Sequence, residues 1–456
     1  MKVHFIAIGG SAMHNLAIAL HKKGFDITGS DDEIFEPSKS KLAKYNLLPK
    51  KLGWHKSNIS KNLDAVILGM HAKDDNPELI KAQNLGIKIY SFPEYLYEQS
   101  KNKIRVVIGG SHGKTTITSM IIHTLNYHNI DCDYMVGAQL KGFDVMVKLS
   151  DNAKYMIIEG DEYLTSSIDK RPKFHIYKPD IALLSGIAWD HINVFPTYDN
   201  YVEQFKIFID LITDKGTIVY CAEDKEVCKV IGATQKNIKK IPYSLPQYIT
   251  EQGITYLINN GKKIPLQVFG KHNLLNINGA KYICNELGVS DKQFYESISS
   301  FKGASKRLEL IAKNNNTAIF KDFAHSPSKL KASTKAVKEQ FPARKLVACM
   351  ELHTFSSLNK NFLKHYKNSM DEADIPVVYF NPHAIKLKKL SAITNNQVKD
   401  AFQTKNLKVF TDSSKMVDEL LKINWDNKNL LMMSSGNFNG INLVKLTDKI
   451  IGQMSD

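Results

Sequence analysis

No apolar run in this 456-residue sequence approaches the ~18 residues that a membrane-spanning helix needs. The N-terminus has one lysine ahead of a glycine-interrupted run and lacks the pattern of a secretory signal, so a cytoplasmic protein is the expectation. Cysteine is scarce: Cys132, Cys221, Cys228, Cys284 and Cys349 are odd in number and contain no C-x-x-C pair, which argues against a disulfide framework and a zinc knuckle. The formal charge of +15 is not gathered into a nucleic-acid motif. Its densest groups, Lys39 to Lys56 and Lys386 to Lys389, lack interleaved aromatics. A basic surface that favours anionic small molecules is the reading, with no nucleic-acid partner; a nucleic-acid-dependent ATPase is suggested by charge alone.

Two glycine fingerprints are present, and both are incomplete. In Arg105-Val-Val-Ile-Gly-Gly-Ser-His-Gly-Lys-Thr-Thr-Ile-Thr-Ser-Met120, a β-branched run breaks into glycines. Ile117, Met120, Ile121 and Leu125 then recur at helical spacing. A strand, glycine turn and helix aim backbone N–H groups and the positive end of a helix dipole at one point, with Lys114 beside them, as a polyphosphate requires. Thr115 stands where a hydroxyl ligates the magnesium that accompanies ATP. Ile108 replaces the first P-loop glycine, so the alternative is an ordinary turn with a solvated lysine.

Near the N-terminus, a strand over Val3 to Ile8 leads into Gly9-Gly10-Ser11 and a helix carrying Leu16, Ala17 and Leu20. A second strand, Asp26 to Thr28, ends near Asp31, an acid about 20 residues beyond the glycines, where a ribose hydroxyl would be held. The third glycine of G-x-G-x-x-G is missing, and glycines that merely turn the chain are the alternative. Ala65 to Leu68 is a further strand, and Asn76-Pro77-Glu78 starts a helix that Gly86 stops. Glu98 to Lys103 reads as a linker.

Length points to about three domains of ~150 residues each. Strand Tyr155 to Ile158 ends in Glu159-Gly-Asp-Glu162, and strand Ile181 to Leu184 is followed by Asp190-His191. Carboxyl ends of parallel strands share one edge, so Glu159 and His191 could converge on phosphates held by 110–115. Asn273 and Asn276 lie one helical turn apart, where they could read an adenine edge or simply cap the helix. The remainder reads as a smaller α/β unit with strands Ala318 to Phe320, Leu346 to Met350, Pro376 to Phe380 and Asn429 to Met433, and a helix from Ser328. Its loops at 351–357 and 434–440 follow strand ends.

Taken in order, the glycine-rich start, Gly110-Ser-His-Gly-Lys-Thr-Thr116, Glu159-Gly-Asp-Glu162, Asp190-His191, Gly270-Lys-His-Asn-Leu-Leu-Asn276, Lys306-Arg-Leu-Glu309 and Lys321-Asp-Phe-Ala-His-Ser-Pro327 resemble the Mur ligase superfamily of ATP-dependent amide-bond-forming enzymes. Gly110-Ser-His-Gly and Asp322-Phe-Ala-His look like the branch that acts on UDP-N-acetylmuramate. Within it, Glu162-Tyr163 through Ile168-Asp-Lys-Arg-Pro-Lys-Phe174 is similar to the members that attach the recycled tripeptide L-alanyl-γ-D-glutamyl-meso-diaminopimelate. The other members add L-alanine, and that is the alternative acceptor.

The resemblance implies an α/β fold of three domains: an N-terminal Rossmann-like domain for the UDP-sugar over 1–100, a central P-loop ATPase-type parallel-sheet domain for ATP over 104–300, and a C-terminal Rossmann-like α/β domain receiving the amine over 301–456. It implies ATP contacts from Gly110, Ser111, His112, Gly113, Lys114, Thr115, Thr116, His272, Asn273, Asn276, Arg307 and Asp322. Magnesium would be held by Thr115, Glu159 and His191; Lys114, Glu159, His191 and Arg307 would carry the chemistry. UDP-sugar contacts fall to Gly9, Gly10, Ser11 and Asp31, and peptide contacts to His325, His353 and Asn437. Departures from the family pattern at Ser111, Gly160, Leu164, Ala188, Asn193, Lys321 and Ser326 bear on the acceptor and the second metal position. A regulatory protein that binds ATP and UDP-sugar without ligation is the rival from another class. Related ligases carry a carbamylated lysine that bridges the metals; Lys206 is a candidate for it, but it sits in an apolar stretch and reads as a snorkelling lysine.

Overall fold

A computed structural model describes residues 1–137, 143–189, 194–304 and 307–452. The chain divides into two compact units, one of Met1–Ile187, Thr197–Ser244 and Gly279–Ser297, the other of Ala188–Pro196, Leu245–Asn278 and Ile298–Asp456.

The first unit holds two sheets. In the smaller, parallel strands run in the order Asp26–Ser30, Lys2–Ile6, Ala65–Leu68, Ile89–Ser91. Burial on both faces explains why Ala65–Leu68 is a continuous apolar run and why Lys2–Ile6 is buried at every residue after Lys2. The first strand stops two residues earlier than expected. Ala7 takes a left-handed conformation (φ 68°), and the N–H groups of Ala7 and Ile8 both donate to Ser30 O, which turns the chain toward Gly9. The strand expected over Asp26 to Thr28 runs on to Ser30 and delivers Asp31 to the same edge.

The expected linker at Glu98 to Lys103 is corrected in its first half. A helix covers Phe92–Ser100, started by a capping box in which Ser91 and Glu94 satisfy one another's backbone N–H groups, so only the residues after it form the turn.

The larger sheet has the order Lys239–Tyr243, Thr217–Cys221, Ile181–Leu184, Ile104–Gly109, Tyr155–Glu159, Cys132–Met135, Val147–Lys148. All neighbours are parallel except the last pair. After Ile104–Gly109 the chain builds strands on one side, then crosses to Ile181–Leu184 on the other. The carboxyl end of Ile104–Gly109 is therefore a topological switch point, where α/β sheets open a crevice for ligands.

The second unit carries a three-stranded antiparallel meander, Tyr248–Glu251, Ile254–Asn259 and Lys262–Leu266, which sequence reading did not anticipate. Its main sheet runs Glu309–Lys313, Ala318–Asp322, Lys428–Met433, Lys345–Leu352, Ile375–Phe380, Lys408–Phe410, with only the first strand antiparallel. Alternate residues feed separate cores on its two faces: Phe320, Met350, Phe380 and Met433 on one, Ile319, Cys349, Tyr379 and Met432 on the other. A sheet covered on both sides exposes its chemistry only at its strand ends.

Candidate active site

Helix Lys114–Tyr127 begins where the glycine turn ends, with Gly113 as N-cap at φ 74°. Gly110 has φ 121°, and a Cβ there would sit 2.3 Å from Ser185 Oγ. Gly113 thus needs glycine for its backbone conformation, and Gly110 for both conformation and space. The turn is tied down by Ser111 N donating to Gly186 O at 2.9 Å and by the Ser185 hydroxyl, which donates to His112 O. Ser111 Oγ lies 2.8 Å from the Tyr201 hydroxyl, and Thr116 is buried on the helix behind the turn.

Lys114 Nζ donates to Gly110 O at 2.7 Å and to Glu162 Oε2 at 2.6 Å. Burial works to lower its pKa, but the negative charges of Glu162 and Asp161 outweigh burial and the net shift is upward. The ammonium is therefore kept charged at the point where a polyphosphate would lie. The Tyr201 hydroxyl donates to the other oxygen of Glu162 at 3.3 Å. Glu162 is 2% exposed; the sequence offers it as the end of an acidic run and the start of the Glu162–Phe174 segment, without a partner. Its i+3 position after Glu159 was the available signal; the lysine contact depends on how the chain leaves the strand.

Glu159, at the carboxyl end of Tyr155–Glu159, accepts from Thr115 Oγ1 at 2.8 Å and from Gly137 N at 2.8 Å. The structure thus brings together Lys114, Thr115 and Glu159 from two neighbouring strands of one sheet. A hydroxyl and a carboxylate are hard oxygen donors of the kind magnesium takes, with phosphate oxygens completing its shell, so the residues fit that ion. No group of three or more His, Cys, Asp or Glu able to hold a metal occurs among the described residues. His191 lies outside the described residues, together with Asp190 and Asn193.

Gly160 shows why alanine is absent there: an added Cβ would come within 2.9 Å of Val107 Cγ1. After it the chain folds into a compact loop, with Thr165 N donating to Arg171 O and Ser166 N to Asp169 O. Arg171 forks onto Asp169, Lys173 Nζ binds Asp161 at 2.6 Å, and Ser167 Oγ donates to Ala72 O at 2.6 Å. Lys206 is exposed and paired with Glu203 at 2.9 Å, a solvent-facing position.

In the smaller sheet, Gly9 N donates to Asp31 Oδ2 at 2.7 Å, and a Cβ at Gly9 would lie 2.9 Å from that oxygen. Asp31 is buried, and burial raises its pKa against the Gly9 hydrogen bond. Gly10 is the N-cap of helix Ser11–Lys22, so Gly9, Gly10, Ser11 and Asp31 form one turn.

In the second unit, Gly270 precedes helix Lys271–Glu286 at φ 88°, where a Cβ would meet Ala336 Cβ at 2.5 Å. Asn273 Nδ2 donates to Phe269 O at 2.9 Å; both Asn273 and Asn276 are buried. Burial lowers the His272 pKa, opposed by the charge of Asp322. Asp322 accepts from Leu308 N and from the Ser333 hydroxyl, and the Arg307 guanidinium stacks 4.9 Å from the Phe323 ring centre. His325 Nδ1 is 2.8 Å from Phe323 O, and Asn437 Oδ1 accepts from Gly440 N at 3.0 Å. Asn437 thus closes a turn with the hydrogen bond shown here. The Ser326 and Ser435 hydroxyls are buried without hydrogen-bond partners among the described residues.

Glu351, which the sequence offers as the first residue of the 351–357 loop and not as a site residue of its own, is the centre of that edge. Burial pushes its carboxyl up, but His353 (3.7 Å), the Ser434 hydroxyl and Phe438 N (2.8 Å) outweigh burial and hold it below the usual range. A Cβ at Gly436 would lie 2.8 Å from His353 Nδ1, so that loop closes over the pair only with glycine.

Three family models match successive parts of the chain: the Mur ligase family catalytic domain over residues 2–104, the Mur ligase middle domain over 108–284, and the Mur ligase glutamate ligase domain over 306–436. The chain is 31% identical over 384 residues to a UDP-N-acetylmuramate–L-alanine ligase of Sulfurihydrogenibium sp., covering 83% of this chain and 82% of that one. Its fold is similar to that of the UDP-N-acetylmuramate-alanine ligase of Thermotoga maritima (TM-score 0.71, 20% identity, 100% of this chain and 99% of that). It is also similar to the murein peptide ligase of Psychrobacter arcticus (TM-score 0.64, 22% identity, 99% of each chain). With three matched domains in succession and this relative at 31% identity, the chain belongs to the Mur ligase family, ATP-dependent ligases that form a C–N bond and release ADP.

Proposed function

We propose that the chain activates the lactyl carboxylate of UDP-N-acetylmuramate with the γ-phosphoryl group of ATP and joins it to an amine. A carboxylate resists attack by an amine until one of its oxygens becomes part of a leaving group. The carboxylate oxygen displaces ADP from the γ-phosphorus, the amine attacks the acyl phosphate, and phosphate leaves with that oxygen as the amine loses its proton. The enzyme's part is positioning and charge neutralisation. Lys114 holds the terminal phosphates; Thr115, Glu159 and His191 are the residues that would hold magnesium, which would supply positive charge against the phosphates. The observation that carries this reading is the partly buried, charged Lys114 beside the Thr115–Glu159 pair at the switch point of the larger sheet.

Residues 1–100 take the UDP-sugar through Gly9, Gly10, Ser11 and Asp31; 104–300 take ATP; 301–456 take the amine, with His325, His353 and Asn437 as contacts. His272, Asn273, Asn276, Arg307 and Asp322 are assigned to the nucleotide. ATP supply places the reaction in the cytoplasm.

Two acceptors stand against each other. L-Alanine is favoured by the curated relatives, whose names specify it at 29–31% identity. That evidence outweighs the tripeptide preference drawn from sequence, so L-alanine is the first reading. The tripeptide L-alanyl-γ-D-glutamyl-meso-diaminopimelate is favoured by the Glu162–Phe174 segment, which is built as a folded loop by Asp169, Arg171 and Lys173. L-Alanine and the tripeptide offered in competition, with products separated by mass, decide between them. A product carrying alanine in excess of about tenfold supports the first reading; the reverse ratio supports the second.

A further inference from the structure

Within the first unit, one side chain ties the glycine turn of the smaller sheet to the metal carboxylate of the larger. Asn15, 4% exposed, lies one turn into helix Ser11–Lys22. Its Nδ2 donates to Ser11 O at 2.7 Å, and its Oδ1 accepts from Met146 N at 2.9 Å. Met146 O accepts from Val136 N at 2.9 Å, and the next residue, Gly137, donates its N–H to Glu159 Oε2 at 2.8 Å. Glu159 also receives Thr115 Oγ1 at the start of the phosphate helix. The last step is tight: a Cβ on Gly137 would stand 3.0 Å from Glu159 Oε1, so backbone and carboxylate are packed against one another.

Asp144 pairs with Lys22 (2.8 Å), which clamps the same segment to that helix, and with Lys44 (3.0 Å) of the helix Ser38–Lys44, but both pairs are half-exposed and bypass Glu159. Screened surface pairs of this kind hold elements together weakly and are not directional. The buried amide is different. It satisfies a carbonyl of the turn and an N–H of the strand pair at once, so neither can shift without loss of a buried hydrogen bond.

We propose that Asn15 is a positioning residue that couples occupancy of the Gly9–Ser11 turn to the placement of Glu159, so that UDP-N-acetylmuramate and magnesium-ATP bind cooperatively. This rests on the substrate reading given above. Such coupling is reciprocal by thermodynamic necessity: each ligand tightens the other by the same factor.

Calorimetry on the full chain, with UDP-N-acetylmuramate and a non-hydrolysable ATP analogue in magnesium, tests it. The native protein is expected to bind each ligand about tenfold more tightly when the other is present. In Asn15→Leu each ligand alone binds within about twofold of native, and the mutual tightening falls to about onefold. Asp144→Ala, which removes the clamp and leaves the amide, keeps the native coupling. Should Asn15→Leu fail to fold, Asn15→Asp, which retains the acceptor for Met146 N and loses the donor to Ser11 O, is expected to lower the coupling. Coupling unchanged in the Asn15 variants, or absent from the native protein while both ligands bind, overturns the inference. Absence of UDP-N-acetylmuramate binding in the native protein overturns the substrate reading itself.

Discussion

Lys114→Met is expected to lower ligation by about 10²–10³-fold, the loss seen when a preorganised charge-stabilising donor is removed. The ammonium is held by Gly110 O and Glu162 and is kept charged by the acids around it. Methionine fills similar space with no charge, so the developing negative charge on the transferring phosphoryl group goes uncompensated. The same change strands Glu162, 2% exposed, without its cation, and breaking a buried pair from one side costs about 3–5 kcal/mol of stability. The two effects are separable. Adding Glu162→Gln to Lys114→Met removes the stranded charge and is expected to recover most of the stability in urea unfolding while turnover stays absent. Recovery of turnover in the double variant would show that Lys114 serves folding and not phosphoryl transfer.

Glu159→Gln is expected to reduce turnover by about 10²-fold and to raise the magnesium concentration needed for half-maximal rate. Glutamine preserves the shape and can still accept from Thr115 Oγ1 or Gly137 N, so the local fold is retained and the missing quantity is charge. Initial rates across a magnesium titration read it directly. A variant whose magnesium dependence matches the native curve would remove Glu159 from the metal site.

The sequence exposed the glycine turn at Gly110 to Gly113 because strand, glycines, lysine and helix are contiguous, and each has a local cause. Gly110 and Gly113 sit at backbone angles that other residues resist, and Ile117 to Leu125 face the sheet. Glu159 was legible as well, since a carboxylate following a buried strand has one edge to face. Lys114 and Glu162 were not legible as a pair, because their contact spans 48 residues and depends on how the chain leaves Tyr155–Glu159. The contacts of Glu351 were hidden for a similar reason: its partners, Ser434 and Phe438, lie in the loop after strand Lys428–Met433, which returns to the middle of the sheet. The helix over Phe92–Ser100 was missed because its polar last turn, Glu98-Gln99-Ser100, has the composition of a linker; its start signal lay in Ser91 and Glu94. The acceptor was over-read from one segment, and the wider similarity of the chain points elsewhere.

The central claim, that a carboxylate is activated by phosphoryl transfer at the Lys114 turn, is tested most directly by isotope transfer. With both carboxylate oxygens of the lactyl group of UDP-N-acetylmuramate labelled with heavy oxygen, the phosphate released during amide formation is predicted to carry one labelled oxygen. Unlabelled phosphate, released while the amide product forms, would contradict the account.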